Sequence, residues 1–189
     1  GSIFTGSVHE PIKGTKNPQK MLQTGIPFTK KPVALQFDYK VKMSDRENRI
    51  RATGFSKITD VPGKDYPAAI LLLQKRWEDA NGNVYAKRIG TMVTYYYHST
   101  DWKNNVTYEI MYGDITNRPE YKAHMMRLQA TESYTVNSKG ESVPIHEVAW
   151  GDENDVPTHM YIQFTSSHGG AYIGSPGNTL WVDNVKLVY

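Results

Sequence analysis

The sequence predicts an all-β fold, a two-sheet antiparallel β-sandwich of jelly-roll type. Residues 35–42 alternate without exception between apolar and polar side chains, as in a strand with one buried face. Asn81-Gly82 lies between two strand-like stretches and favours a tight hairpin turn, because this pair readily adopts positive φ angles. Fifteen glycines and ten prolines supply many further turns and argue against a helical bundle.

The predicted elements follow one another as short strands. Residues 1–32 are rich in Gly, Pro, Lys and Thr and predict an N-terminal arm, which can add a short strand near residues 3–5 to the sandwich. Residues 33–189 form the predicted jelly-roll domain. In its first strand, the alternation directs Leu35, Phe37, Tyr39 and Val41 toward the core. Further strands are expected at residues 68–77, 84–98 (with a bulge at Gly90), 102–112, 143–150, 160–165 and 179–189.

Two segments are less regular. Residues 44–66 are polar and turn-rich, which predicts a long loop with room for one short strand. Residues 121–132 fit a helix by composition and a strand by context, and we favour the strand.

Composition excludes several classes of function. The 22 basic and 19 acidic residues give a net charge of +3 and are spread along the chain, so they predict a mixed, solvated surface rather than a nucleic-acid interface. The chain has no Cys, which excludes disulfides, thiolate metal sites and a Cys nucleophile. No apolar run approaches the roughly 20 residues of a membrane-spanning helix.

The C-terminal segments carry the most specific pattern. Residues 157–167, a Gly-rich loop and residues 177–185 resemble the last hairpin of galactose-binding-like jelly rolls. In those folds, a strand ending in two serines leads to a final strand carrying an aspartate. Asp183 matches that aspartate, and its carboxylate is suited to fixing a loop or bulge by accepting backbone N–H bonds.

A broader resemblance covers most of the chain. Residues 4–6, 25–28, 32–40 and 180–185 are similar to the putative carbohydrate-metabolism domain of gut-bacterial surface and periplasmic proteins. This resemblance implies a galactose-binding-like jelly roll with a carbohydrate-related role, exported to the periplasm or the outer cell surface. Members of that family typically carry the jelly roll after an immunoglobulin-like domain, so we expect such a domain to precede it in the full-length protein.

A carbohydrate site needs exposed rings, because the C–H faces of a pyranose pack on aromatic planes while nearby polar groups bind the hydroxyls. Tyr95 and Tyr97 share one face of their strand and Tyr96 points the other way. Trp77 lies too far along the same hairpin for one small sugar to touch it and Tyr95, so a shared site requires an oligosaccharide or polysaccharide. Each ring can instead be ordinary core packing. The candidate ligand-binding residues are Tyr95, Tyr97, Trp102, Trp77 and Trp150.

The sequence leaves three functions open. The favoured one is a non-catalytic carbohydrate-binding module of an exported bacterial glycan-utilisation protein, with no catalytic residues assigned. The second is a glycoside hydrolase using two carboxylates, and the third is an adhesion or structural domain that binds protein. No pair stands out among the candidate carboxylates, which are Glu78, Glu109, Asp114, Glu132, Glu147, Asp152 and Glu153.

No cofactor is predicted. The six histidines show neither H-x-x-x-H nor H-E-x-x-H spacing, so we do not expect zinc. Residues 151–155 offer oxygen ligands of the kind that calcium prefers, but they lack the spacing of a dedicated calcium loop. A solvated loop is the favoured interpretation of that segment.

Overall fold

The computed structural model describes residues 1–9, 16–54, 56–125 and 133–189, and these residues form an all-β protein. A 3-10 helix spans Pro18–Met21, and residues 123–125 also have 3-10 conformation. The strands are β1 (Ser2–Phe4), β2 (Gly6–Val8), β3 (Leu22–Thr24), β4 (Ile26–Pro27), β5 (Ala34–Lys42), β6 (Arg49–Arg51), β7 (Thr59–Val61), β8 (Ala68–Glu78), β9 (Val84–Tyr95), β10 (Thr100–Glu109), β11 (Met111–Tyr112), β12 (Tyr134–Val136), β13 (Ser142–Trp150), β14 (His159–Thr165), β15 (Ile173–Gly174) and β16 (Thr179–Val188).

The large sheet has the strand order β1-β14-β8-β9-β13-β12, with β4 beside β14 and β11 beside β9. Its central hairpin, β8–β9, turns where the sequence predicts. Asp79 Oδ1 accepts the N–H groups of Asn81 and Asn83, and Gly82 has φ +92°. The β8–β9 register skips one residue of β9 next to Gly90, which confirms the predicted bulge.

One strand pair departs from the antiparallel prediction. β13 runs parallel to β9, with Ile145 opposite Val84 and Trp150 opposite Arg88. Parallel neighbours require a crossover connection, and here the chain between β9 and β13 passes through β10 in the opposite sheet before it returns. The other pairs of described strands are antiparallel, so the sandwich prediction is confirmed with this one correction.

The core lies between the large sheet and a three-stranded sheet, β10-β5-β16. Leu35, Phe37 and Val41 are buried, and Tyr39 packs half-buried against the same cluster, as the alternation predicts. Phe37 is 0% exposed and connects the layers, because its ring packs edge-on against Phe164 of β14 at 5.0 Å between centroids.

Residues 1–9 and 16–32 contain more strands than the N-terminal arm that the sequence predicts. They supply β1, which pairs with β14 at one edge of the large sheet, and β4, which pairs with the start of β14. β2 and β3 form a small hairpin between them. Gly6 permits this close approach, because a Cβ there would lie 2.0 Å from the carbonyl oxygen of Gln23.

The structure differs between the two segments that are less regular in sequence, residues 44–66 and 121–132. Residues 44–66 contain β6 and β7, which form a small sheet with β15. Residues 121–125 contain no strand, and the rest of the segment predicted at 121–132 lies outside the described residues. No helix in the described part of the chain has the length and hydropathy needed to cross a membrane.

Candidate ligand-binding cleft

A cleft of about 750 Å³ lies on the face of the large sheet turned away from the core. Side chains alternate between the two faces of a strand, so the residues between the core positions of β8, β9 and β14 form its floor. This volume falls within the usual range for small-molecule sites. The floor residues are Ile70, Leu72, Val93, Tyr95, Tyr161, Gln163 and Thr165.

Two separate segments form walls of the cleft. Ser2, Phe4, Leu22 and Thr24 contribute from the N-terminal strands, and residues 167–172 contribute from the loop after β14. The N-terminal wall is held by one main-chain and one side-chain hydrogen bond to β14. Thr5 N–H donates to the carbonyl oxygen of Ile162 at 2.9 Å, and Thr5 Oγ1 accepts from Ile162 N–H at 2.8 Å.

One end of the cleft carries a cluster of tyrosine and imidazole rings. The rings of Tyr95 and His124 stack with centroids 4.2 Å apart and planes 15° apart. The His168 ring lies 4.9 Å from Tyr95 on centroids, and Tyr66 stacks on His168 at 5.6 Å. Because Tyr95, His124 and His168 all line the cleft, this end presents polar ring edges beside the apolar floor.

A buried carboxylate fixes His168. Asp65 Oδ1 lies 3.1 Å from His168 Nδ1, and the Asp65 side chain is fully buried. Asp65 also accepts the backbone N–H groups of His168 at 3.2 Å and Ser175 at 2.9 Å. Burial by itself raises the pKa of Asp65, but the bonds from His168, Ser167 and Ser175 outweigh it and hold that pKa below its ordinary value.

The contacts of one ring nitrogen of His168 determine what the other can do. Nδ1 is within hydrogen-bond distance of Asp65 Oδ1 and of the Tyr66 backbone N–H at 3.1 Å. Nε2 is on the opposite edge of the same ring, so it accepts a hydrogen bond when Nδ1 carries the proton and donates one in the other tautomer. A sugar hydroxyl can serve as either partner.

One basic residue that lines the cleft belongs to a buried ion pair. Arg88 is 1% exposed and donates from Nε and Nη2 to the two oxygens of Glu147, at 2.9 and 2.5 Å. Its Nη1 donates to the carbonyl oxygen of Met125 at 2.7 Å, and Gln74 Nε2 donates to Glu147 at 2.7 Å. Arg88 lines the cleft while Glu147 lies behind it.

A second cavity of about 380 Å³ adjoins the cleft. Val93, Tyr95, His124 and Met125 line both spaces and therefore form the partition between them. The far side of the second cavity carries Tyr97 and three charged, exposed side chains, which are Glu109, Glu120 and Lys122.

The structure distributes the five predicted ligand-binding residues over several surfaces. Tyr95 lines the cleft and the second cavity, and Tyr97 lines the second cavity. Trp77 lies opposite Tyr85 on the core-side face of the large sheet, beyond the core, and Trp102 is 47% exposed on β10 of the smaller sheet. Trp150 packs on the guanidinium of Arg88, 5.6 Å from the ring centroid. Trp77, Trp102 and Trp150 line neither space.

Most of the candidate carboxylates are engaged elsewhere. Glu78 bonds to Ser138, Asp114 to Thr116, Asp152 to the backbone of Asn154, and Glu147 to Arg88. Glu153 contacts Lys31 through its carbonyl oxygen. Glu132 lies outside the described residues. Within the described ranges, no Asp or Glu lines the cleft, and no group of three or more His, Asp or Glu side chains is placed to hold a metal ion.

Sequence reasoning missed His168, Asp65 and Arg88. Asp65 and His168 are 103 positions apart and belong to no recognisable spacing motif. Arg88 is one of four basic residues within positions 75–88, and only its position on the cleft face of β9 distinguishes it.

The comparisons with known proteins agree with the all-β architecture. The family model described as "putative carbohydrate metabolism domain" matches residues 1–188. No curated protein matches the chain. Among solved structures, it is similar to a putative glycoside hydrolase from Bacteroides vulgatus, with 15% sequence identity and a TM-score of 0.56. The match covers 100% of this chain and 63% of that one, and at this identity it shows the fold alone.

Proposed function

This chain belongs to the family of putative carbohydrate metabolism domains, and from that premise we propose that it binds an oligosaccharide in the cleft on the outer face of the large sheet. In this role it is the carbohydrate-binding module of an exported bacterial glycan-utilisation protein, located in the periplasm or at the outer cell surface. The galactose-binding-like type of jelly roll and a preceding immunoglobulin-like domain belong to the same proposal.

The observation that carries the proposal is the position of His168 beside Tyr95 over an apolar floor. A sugar presents apolar C–H faces and a rim of hydroxyls, so its site needs apolar surface and directed polar groups together. Leu72, Val93 and Tyr161 supply the apolar surface, and the ring edges of His168 and Tyr95 supply the polar groups. The bond to Asp65 holds the imidazole in place before a ligand arrives, which reduces the entropy lost on binding.

The test is a glycan-array screen followed by calorimetric titration of the oligosaccharides that bind. His168→Asn places an amide near the position of Nδ1, within reach of Asp65, but removes Nε2. We expect it to weaken binding about tenfold, the equivalent of one hydrogen bond of about 1.4 kcal/mol. Trp102→Ala and Trp77→Ala remove exposed rings outside the cleft and serve as controls with unchanged affinity. Loss of affinity in either control, with none in His168→Asn, would place the site elsewhere.

A second candidate function is glycoside hydrolysis, favoured by two observations. Glu109 and Glu120 both line the second cavity, next to the Tyr95–His124 partition, and the similar solved structure is named a putative glycoside hydrolase. Their exposure weighs against it, because a catalytic acid needs a site that raises its pKa. Release of reducing sugar that disappears in both Glu109→Gln and Glu120→Gln would establish hydrolysis. Binding without release would favour the module.

A further inference from the structure

Two polar side chains of β14 lie in the floor of the cleft and make no hydrogen bond to the protein around them. Met160, Ile162 and Phe164 of this strand pack in the core, so Tyr161 and Gln163 between them face the cleft. In the part of the chain that the structure describes, no residue bonds to the Tyr161 hydroxyl or to the Gln163 side-chain amide. Both groups can therefore bond to a ligand.

The Tyr161 hydroxyl is the more deeply placed of the two. The residue is 8% exposed and still lines the cleft. Burial raises the pKa of this hydroxyl, so it keeps its proton and remains a hydrogen-bond donor at neutral pH. A polar group that has lost water without gaining a partner destabilises the protein, and a ligand acceptor that bonds to it would remove that cost.

Apolar side chains border both polar groups on the neighbouring strands. Gln163 lies opposite Phe4 of β1 and Ile70 of β8. Tyr161 lies opposite Leu72 of β8, and its ring centroid is 6.5 Å from that of Phe4. All five residues line the cleft. This part of the floor therefore offers directed hydrogen-bonding groups with apolar surface directly beside them.

These groups adjoin the end of the cleft that carries the tyrosine and imidazole rings. Tyr95 and Thr165 both lie opposite Ala68, so they share one row across the sheet. Gln163 is two positions from Thr165 along β14, which corresponds to roughly 7 Å at about 3.4 Å per residue. A substituent that extends along β14 from a sugar beside Tyr95 therefore meets Gln163 first and the deeper hydroxyl after it.

We propose that Gln163 and Tyr161 form a subsite for the acetyl group of an acetylated sugar, attached to the sugar as an amide or as an ester. The inference rests on the proposed carbohydrate function and specifies its ligand class. An acetyl group has a carbonyl acceptor and a methyl group on adjacent atoms, so the carbonyl accepts a hydrogen bond while the methyl packs on Phe4 or Leu72. A ring hydroxyl could bond to the same groups but would bring no methyl to the apolar neighbours.

The two kinds of attachment differ in one group that Gln163 can distinguish. An acetamido group carries an N–H donor beside its carbonyl, whereas an ester has no donor there. The side chain of Gln163 has both a carbonyl oxygen and an NH₂ group, so it can pair with the N–H of the amide as well as with a carbonyl. Gln163→Leu should therefore weaken binding of an N-acetylated sugar more than binding of an O-acetylated one.

The test compares matched ligands on the unaltered protein by calorimetric titration. The first pair is chitotetraose and cellotetraose, which differ by an acetamido group in place of a hydroxyl on each unit. The second pair is an O-acetylated xylotetraose and the same compound after alkaline deacetylation. In at least one pair we expect the acetylated member to bind at least about tenfold more tightly, the equivalent of one added hydrogen bond. The pair that shows the preference identifies the attachment.

One conservative variant separates ligand contact from a structural role. Tyr161→Phe removes the hydroxyl and keeps the ring, so affinity for the preferred acetylated probe should fall about tenfold while affinity for its unacetylated partner stays unchanged. Its urea midpoint should not fall, because the hydroxyl has no partner among the described residues, whereas a structural role predicts a lower midpoint. Tyr189→Phe is the matched control, since Tyr189 is 64% exposed and lines neither cavity.

The outcomes distinguish this inference from the function on which it rests. Equal binding of acetylated and unacetylated forms, in these pairs and among the other backbones of a glycan array, would overturn the acetyl subsite and leave carbohydrate binding in place. An equal loss for both members of a pair in Tyr161→Phe would overturn it too, because the hydroxyl would then contact the glycan itself. Failure of every glycan to bind would overturn both proposals. The wild-type comparison decides the question even if a variant fails to fold.

Discussion

Asp65→Asn is the most informative single perturbation of the cleft. The Asp65 carboxylate accepts the backbone N–H groups of His168 and Ser175, and the side chains of His168 and Ser167 also bond to it. Asparagine has nearly the same shape but replaces one carboxylate oxygen with an NH₂ donor. Whichever way the amide turns, a donor then faces at least one backbone N–H group.

The expected loss of unfolding free energy follows from these contacts. One buried hydrogen bond is lost and its backbone donor is left unsatisfied, which costs about 1–3 kcal/mol, and the remaining bonds lose the assistance of the negative charge. We therefore expect the free energy of unfolding to fall by about 2–4 kcal/mol at pH 7. Affinity for oligosaccharide should fall as well, because His168 loses its fixed partner.

The difference in stability between wild type and Asp65→Asn should depend on pH in a defined direction. The folded-state pKa of Asp65 is below its ordinary value of 3.8, so its carboxylate stabilises the fold above that value and the contribution is lost as pH falls through the folded pKa. The difference between wild type and Asp65→Asn should therefore be complete at pH 7 and shrink below pH 3.8.

Urea denaturation across this pH range measures the difference, and Asp101→Asn, at a fully exposed carboxylate, is the control with little change. A loss of unfolding free energy below about 0.5 kcal/mol at pH 7 would show that Asp65 does not hold the loop that carries His168.

Two further predictions concern the sandwich. Phe37→Ala should lower the free energy of unfolding by roughly 3–5 kcal/mol, because it opens a cavity between Phe164 and Tyr108, whose rings lie 5.0 and 5.2 Å from that of Phe37; an unchanged urea midpoint would contradict the assigned core. Gly90→Ala should cost about 1–3 kcal/mol, since its Cβ would lie 3.0 Å from side-chain carbons of Ile110 and Leu73. A thermal melt equal to wild type would mean that these side chains move aside freely.

The fold was predictable where local chemistry determines it. The alternation of residues 35–42, the Asn81-Gly82 turn and the bulge beside Gly90 each depend on neighbouring residues, and each is confirmed. The parallel pairing of β9 with β13 was not predictable, because it depends on which sheet the chain joins after it leaves β10. No local pattern encodes that choice.

The site was less predictable for a related reason. Its residues come from strands and loops far apart in the chain, and rings that look alike in sequence end on different surfaces. Tyr95 and Trp77 belong to one hairpin, but Tyr95 faces the cleft and Trp77 pairs with Tyr85 on the other face. The residue of β9 that the register skips next to Gly90 separates them, because it reverses the face on which the later side chains of β9 lie.

The N-terminal wall also has a consequence for how the molecule is made. Ser2 pairs with Thr165, so β1 has no partner until β14 has been synthesised. At about 5–20 residues per second, the intervening chain takes roughly 8–30 s to emerge from a ribosome. During that interval the first strand is an unpaired edge segment that a holding chaperone can bind. The N-terminal wall of the cleft therefore cannot form before β14 is made, and the core is completed later still, because Leu180 and Leu187 of β16 pack against it.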